Sequence, residues 1–302
     1  GSEMCIRDSS NTTKKMAADY KKYQKKRISY WDRISRKADK RKDYSNYYRK
    51  QLQGVLHFVV PTGSRVMEVG CGHGDLLASL EPSYGLGLDF SENMIESAKK
   101  RHPDLRFIQA DAHEIDLKTE FDFIILSDLV NDLWDVQLVL QKIKSLTTPR
   151  SRIIITCYSR LWELPLNIIR KLGLAKPILP QNWLTAEDIN GLLHLTNFEV
   201  IRHWAEIIWP LRTPVIDTLL NRFIAKIWPF RWLALTNVII ARPYPTHKAV
   251  PKNPKVSVVI PARNEAGNIA QIFSRVPEMG GGTELIFVEG NSTDNTYNAV
   301  SY

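Results

Sequence analysis

The sequence predicts an α/β fold, a doubly wound and mostly parallel sheet, and three observations predict it. A short apolar run (Val66, Met67, Val69) leads into glycines at alternate positions, Gly70, Gly72 and Gly74, and a helical pattern follows. Apolar runs then alternate with amphipathic stretches as far as Tyr158, the rhythm of parallel strands joined by helical crossovers. Acidic residues (Glu68, Asp89, Asp111, Asp128) recur at or just beyond the ends of these runs, where doubly wound sheets bind their ligands.

Taken in order, Gln51 to Val60 carries Leu52, Val55, Leu56 and Val59 at helical spacing, and Pro61-Thr62-Gly63 stops it. The first strand starts at Arg65, and Leu76 to Leu80 closes a short helix after the glycine turn. Gly85 to Asp89 is the second strand. Ser91 caps the helix Glu92 to His102, with Met94 at its third position. Leu105 to Ala110 is the third strand and Phe121 to Leu126 the fourth, the latter apolar almost throughout, as a strand covered on both faces must be. A helix over Val136 to Leu146 and a strand over Ser151 to Tyr158 complete the repeat. Residues 159–183, with Pro165, Pro177 and Pro180, read as a cap. Thr185 N-caps Ala186 to Leu195, and Asp188 forms an approximate capping box with it. Two more strands, Phe198 to Ile208 and Leu235 to Ala241, flank Trp209 to Trp232. That insertion is apolar at Val215, Ile216, Leu219, Leu220, Phe223, Ile224 and Ile227. It reads either as a cap helix packed on the sheet or as a helix lying in a membrane interface.

The glycine turn differs from a dinucleotide fingerprint. The third glycine falls one place early, at Gly74, and Glu68 stands on the strand just before the turn. A carboxylate there suits a ligand that brings its own positive charge better than a pyrophosphate. Asp89 at the tip of the second strand can accept two hydrogen bonds from a ribose diol, and Phe90 can pack on an adenine face.

The stretch RVMEVGCGHGDLL resembles motif I of the class I methyltransferases, and the resemblance covers roughly residues 50–243. It implies a Rossmann-like fold whose final strand runs antiparallel, with S-adenosylmethionine as cofactor. Glu68 and the backbone of Gly70, Cys71, Gly72 and Gly74 then hold the methionine end, Asp89 the ribose and Asp111 the adenine. Met94, Ala112 and Ser127 complete the cofactor positions. If the acceptor is a hydroxyl, a base must take its proton. Asp128 is the candidate, with Asp132, His113 and His194 as alternatives.

Composition bounds the rest. The chain has 302 residues, 44% of them hydrophobic, enough for two globular domains. Three cysteines far apart (Cys5, Cys71, Cys157) give neither a disulfide framework nor a metal-ligand spacing, so no metal is expected and a cytoplasmic setting is. The net charge of +9 is concentrated in residues 14–50, which hold 15 Lys or Arg against 4 Asp or Glu. This stretch lacks Pro and Gly and carries Tyr20, Tyr23, Tyr30, Trp31, Tyr44, Tyr47 and Tyr48. It reads as a basic helical arm that packs on the core, lies on an anionic membrane surface, or binds nucleic acid. Residues 1–13 are set apart, because GSEMCIRDS resembles a translated sequencing-adapter scar.

Residues 244–254 read as a linker, with prolines and no periodicity. Lys255 to Glu265 (KVSVVIPARNE) then opens a new β-α unit and resembles the start of family 2 glycosyltransferases of the GT-A fold. That resemblance implies nucleotide-sugar contacts at Pro261, Ala262, Asn264, Glu265 and Glu289, although Val288-Glu289 stands where the family carries two aspartates. The metal-binding Asp-x-Asp of that family does not follow within residues 255–302, so this partial β-α-β unit is expected to be a truncated, inactive copy. The whole chain resembles fusions of a methyltransferase with a polyprenyl-phosphate-type glycosyltransferase. This implies a small-molecule, glycan or glycolipid acceptor at the cytoplasmic face of a membrane, with peripheral attachment. An RNA-directed methyltransferase using the arm, and a non-catalytic cofactor-binding scaffold, are the alternative readings.

Overall fold

The computed structural model describes residues 15, 18–34, 45–171, 179, 181–213, 215–227, 230–245 and 253–301. The reading of residues 1–13, part of the cap and most of the linker lie outside them. The chain divides into two compact units, residues 1–244 and 245–302.

The larger unit is built on a seven-stranded sheet: β1 (Arg65–Val69), β2 (Tyr84–Asp89), β3 (Arg106–Gln109), β4 (Phe121–Ser127), β5 (Thr147–Tyr158), β6 (Phe198–Glu206) and β7 (Thr236–Pro243). Their order is β3-β2-β1-β4-β5-β7-β6. The first five run parallel, and β7 runs antiparallel to both its neighbours. The chain winds outward from β1 to β3, then returns to the other side of β1 as β4. The β1–β4 boundary is therefore the topological switch point, the place where such sheets open a crevice.

Alternate side chains of the strands feed two cores. On one face Met67, Val69, Leu88, Ile124 and Ile155 pack with helices α5 (Val136–Lys144) and α7 (Ala186–Leu195). On the other, Val66, Ile125, Ile154 and Val238 meet α2 (Ser45–Val59), α3 (Asp75–Ser79) and α4 (Glu92–Arg101). Burial on both faces is why these strands read as continuous apolar runs. Helix starts follow their caps. Ser91 accepts the Met94 amide, Asp135 the Leu138 amide, and Thr185 with Asp188 forms a full capping box.

Over its described residues, 18–34 and 45–50, the N-terminal arm packs on the larger unit. Helix α1 (residues 18–34) and α2 are both integral to the larger unit, and α2 starts at Ser45, ahead of the expected boundary at Gln51. Tyr48, Leu52, Leu56 and Val60 of α2 lie in the core. In α1, Tyr20, Tyr23, Gln24, Arg27 and Tyr30 face the protein, while Lys21, Lys22, Lys25, Lys26 and Arg33 face out. Of the aromatics that sequence alone offered to a lipid or a nucleobase, Tyr20, Tyr23, Tyr30 and Tyr48 are turned to the protein, and Tyr44 lies outside the described residues. No described helix is long and apolar enough to cross a membrane.

The smaller unit holds a two-stranded parallel sheet, β8 (Val256–Ala262) and β9 (Thr283–Glu289). Helix α9 (Ile269–Arg275) packs on it through Phe273 against Phe287, and α10 (Thr296–Ser301) follows. The opposite face exposes Val259, Ile286 and Val288.

Candidate active site

The glycine turn lies at the carboxyl end of β1. Gly70, Gly72 and Gly74 have φ of 75°, 52° and 75°, a left-handed conformation that β-carbon-bearing residues resist. At Gly74 space also forbids a side chain, since a Cβ would fall 2.6 Å from the Phe107 ring. The turn presses its backbone against β2 through the Gly70 and Cys71 amides, which donate to the Leu88 carbonyl at 2.7 and 3.0 Å.

Gly74 is the N-cap residue of α3 and has no side chain to cap it. Glu68 supplies the missing acceptor: its Oε2 takes the Leu77 amide at 3.1 Å. Glu68 is buried, and burial pushes its carboxyl up to about 8, with Asp89 and Asp75 adding to the shift and the Leu77 bond opposing it. Cys71 turns its thiol into the core beside Gly87, where burial pushes its pKa up, and only its backbone faces the turn.

Asp89 closes β2. Its Oδ2 accepts the Gly72 amide and its Oδ1 the Ser91 amide, both at 2.9 Å. Burial raises its carboxyl, against these two bonds. One carboxylate thus holds the glycine turn and the start of α4 in register, and each oxygen keeps a lone pair for a ligand. Beyond β3, Asp111 accepts from the His113 amide at 2.8 Å, from the Tyr20 hydroxyl at 2.8 Å and from Gln24 at 2.6 Å. Burial works to raise the Asp111 carboxyl, but the hydrogen bonds from His113 and Tyr20 outweigh it and hold the group at about 2.

These groups wall one cavity. Gly70, Asp89, Phe90, Asp111 and Ala112 line it together with Leu88, Leu129, Asp132 and Leu133, and α1 roofs it with Tyr20, Tyr23, Gln24 and Arg27. Arg27 pairs with Asp132 at 2.9 Å, both side chains nearly buried, and Ser91 donates to Asp32 of α1. Of the expected cofactor positions, Glu68, Cys71, Gly72, Gly74, Met94 and Ser127 do not line this cavity. They shape the turn and helices beneath it. The α1 contribution was missed by sequence reasoning. Its signal was the spacing of Tyr20, Tyr23, Gln24, Arg27 and Tyr30, one helical stripe inside a run that charge alone made conspicuous.

The candidate bases separate. His113 receives the Asp135 amide on Nε2 at 3.1 Å, so Nδ1 carries the proton it shares with Asp111 at 2.6 Å, and both ring nitrogens are engaged. His194 closes α7, where Phe198 pairs with Pro243 at the opposite edge of the sheet, and hydrogen-bonds Tyr244. Asp132 is held by Arg27. Asp128 follows β4 with a positive φ of 52°. Its Oδ2 accepts the Tyr48 hydroxyl at 2.8 Å and its Oδ1 the Thr156 hydroxyl at 3.1 Å, while Thr236 donates to Tyr48 at 3.1 Å. Burial raises the Asp128 carboxyl, against the bonds from Tyr48, Thr156 and Tyr158.

Residues 62–197 match the family model described as a methyltransferase domain. That match identifies residues 62–197 as a methyltransferase domain, on the fold of the S-adenosylmethionine-dependent class I enzymes. Demethylmenaquinone methyltransferase of Staphylococcus saprophyticus is 28% identical to it over 116 residues, 35% of this chain and 49% of that one. The enzyme of the same name from Streptomyces griseus is 25% identical over 160 residues, 53% of this chain and 65% of that one. The chain thus spans half to two thirds of the length of these relatives. An S-adenosylmethionine-dependent methyltransferase of Thermotoga maritima, described as a possible histamine N-methyltransferase, shares the fold at TM-score 0.55 and 16% identity, over 70% of this chain and 97% of that one. The cofactor of the methyltransferase domain is S-adenosylmethionine. Part of the lining suits it, with a glycine turn, apolar walls at Leu88, Phe90, Leu129 and Leu133, and the carboxylates of Asp89 and Asp111. Arg27 is a cation in the same lining, neutralised by Asp132, and with α1 in place the enclosed space of about 30 Å³ is smaller than the cofactor.

The smaller unit has its own polar cluster. Past Pro261 and Ala262, Asn264 takes the Thr293 amide at 2.8 Å and gives its own amide to Ser292 at 2.9 Å. The Glu265 amide donates to Thr296 at 2.8 Å. Glu289 receives the amides of Asn291 and Ser292 in its own loop. The two loops at the carboxyl ends of β8 and β9 are laced to each other.

Proposed function

We propose that this protein transfers the methyl group of S-adenosylmethionine to a small, apolar or lipid-linked acceptor, and that Asp128 receives the proton when the acceptor is a hydroxyl. The observation that carries the reading is the placing of Asp89, Asp111 and Asp128 on successive strand ends around the switch point, beside a glycine turn. The cofactor supplies an electrophilic methyl on a sulfonium. The transition state disperses that charge, so the protein's work is alignment and exclusion of water. Asp89 binds the ribose, Asp111 the adenine edge, and α1 closes the cavity from solvent. Asp128 has hydroxyl partners rather than a guanidinium, so its carboxylate is the one whose charge no ion pair consumes. The naming of relatives for demethylmenaquinone, an apolar acceptor, supports the acceptor class. The glycan or glycolipid acceptor stays within this proposal as the lipid-linked case.

Calorimetry with S-adenosylmethionine, followed by transfer of labelled methyl to pools of quinol, polyprenyl-linked glycan and RNA, tests the reading. Label in an extractable apolar product is expected. Binding without transfer to any pool would make the domain a cofactor-binding scaffold, and label on RNA would assign the basic face of α1 to that substrate.

For residues 255–302 we propose kinship with nucleotide-sugar transferases, supported by the strand-Pro-x-x-Asn-Glu opening alone. Because Val288 stands where that family carries the first of its two aspartates, no nucleotide-sugar binding is expected from this unit. Ligand-detected NMR with UDP-sugars checks it.

A further inference from the structure

Two insertions lie at the carboxyl edge of the sheet, beyond β5 and between β6 and β7. Register puts their roots side by side: Tyr158 pairs with Thr236, and Thr236 with Glu206. The first insertion holds α6 (Glu163–Lys171). The second winds through α8 (Ile216–Thr218), a π-helical turn (Leu219–Phe223) and a short 3-10 turn (Ile224–Lys226). Trp162 ties them together, its indole donating to the Leu233 carbonyl at 2.9 Å.

Both insertions pack some apolar residues inward, Trp162 and Leu166 in the first and Ile207, Ile208 and Ala225 in the second, yet leave an apolar stripe outside. Over residues 215–227 of the second, the fully turned-in residues are Asp217, Asn221 and Ala225, at 7%, 8% and 3% exposure. Asn221 accepts the Trp209 amide and donates to the Trp209 carbonyl, both at 2.8 Å, so its amide pins the segment from within. Ile216, Leu219 and Phe223 form the opposite stripe and face solvent. Of the apolar residues that read either as a packed cap or as an interfacial helix, Val215, Ile216, Leu219, Phe223 and Ile227 are exposed, while Leu220 and Ile224 are partly buried. In the first insertion Leu166 of α6 packs on the core, while Leu164 and Ile168 of α6, and Leu161 just before it, are exposed, Leu164 by 73%. Phe230 and Trp232 extend the face. Water does not reward such a surface, which would otherwise carry the polar residues.

Charge names the partner. Residues 160–171 and 207–233 hold seven Lys or Arg against two acids, Glu163 and Asp217. Asp217 is buried, while Arg160, Lys171, Arg212 and Arg222 are exposed around the apolar residues. Exposed aliphatic and aromatic side chains ringed by cations match the interfacial layer of an anionic bilayer, apolar below and phosphate above.

We infer that the exposed apolar residues of α6, of residues 215–227 and of residues 230–233 form a face that docks on an anionic lipid bilayer and brings the carboxyl edge of the sheet to the membrane interface. This rests on the reading of the domain as a methyltransferase for an apolar acceptor, and it adds the route by which such an acceptor arrives. The basic face of α1 has charge but no exposed apolar stripe, so it is not the docking element.

The test is flotation of the full chain with vesicles of phosphatidylcholine alone and of phosphatidylcholine mixed with an equal amount of phosphatidylglycerol. Binding to the mixed vesicles only is expected. Leu219→Asp with Phe223→Asp should weaken it on the order of ten-fold or more, with S-adenosylmethionine affinity unchanged as the check on folding. Lys21→Glu with Lys25→Glu should cost much less. The proposal is overturned if the wild type does not float, if only the α1 variant stops floating, or if light scattering shows a dimer that the Leu219/Phe223 variant abolishes. Flotation without cofactor binding leaves the docking face standing and removes the methyltransferase reading. Cofactor binding without flotation does the reverse.

Discussion

The two halves of the carboxyl edge solve opposite problems with the same elements. Over β3, β2, β1 and β4, α1 lies with its polar and aromatic stripe turned in, and carboxylates meet hydroxyls, amides and one guanidinium. Over β5, β7 and β6, the insertions keep a few polar pins inside and turn an apolar stripe out. The first arrangement encloses a charged, water-soluble ligand. The second offers a surface to something that dislikes water. The difference shows that the sheet fixes only the edge, and that the covering segments decide what may approach each half.

Asp128 stands at the seam, its partners drawn from α2 and β5, with Thr236 of β7 behind Tyr48. Asp128→Asn should lower kcat about 100-fold or more for a hydroxyl acceptor while cofactor affinity, measured by calorimetry, stays put. A parallel loss of affinity would move the seam and make Asp128 part of the cofactor half. Next in size is Arg27→Ala, which leaves Asp132 buried without its cation. About 3–5 kcal/mol is the expected scale for such a loss, read as early protease cleavage across α1 with β4 and β5 still protected in hydrogen exchange. If α1 stays protected, its hold comes from the aromatic stripe rather than the ion pair.

Asp89→Ala removes an acceptor from two amides and from the ribose. Cofactor binding should weaken by about 1–3 kcal/mol with vesicle flotation unchanged. Equal loss of both would show that the halves are not independent. The smallest effect is electrostatic. In the folded protein Glu68 binds its proton up to about pH 8 instead of the ordinary 4.5, so its contribution to stability is full below the lower value and lost as pH rises through the higher. Melting temperature should therefore decline across that window more steeply in the wild type than in Glu68→Gln. Equal slopes would show that Glu68 is ionised when it caps α3.

Much of this was legible in the chain. The strand-turn-helix at Arg65 to Leu77, the acids on successive strand ends and the capping box at Thr185 rest on local rules, in which a few neighbouring residues decide the geometry. What escaped was relational. Nothing near Tyr20 or Gln24 says that a distant Asp111 will meet them. The stripe in the second insertion was visible as apolar, but which way it faces depends on whether Asp217 and Asn221 find partners inside, and Trp209 and Tyr47 supply those partners. Glu68 was visible as an acid beside a turn. That it caps α3 follows from Gly74 having nothing to cap with.

Strand β7 reverses direction between β5 and β6. Because β5 and β6 both run against β7, the chain leaves the sheet after each of them on the same side. The excursion after β5 crosses through α7 to start β6 at the other edge, while the one after β6 returns where it left to start β7. Insertions of any length can therefore grow on this side without threading the core or touching the glycine turn. The fold separates a half built around the glycine turn from a half covered by loops that can be exchanged without disturbing that turn. Moving residues 207–235 into a relative of the same topology would carry the address without the chemistry.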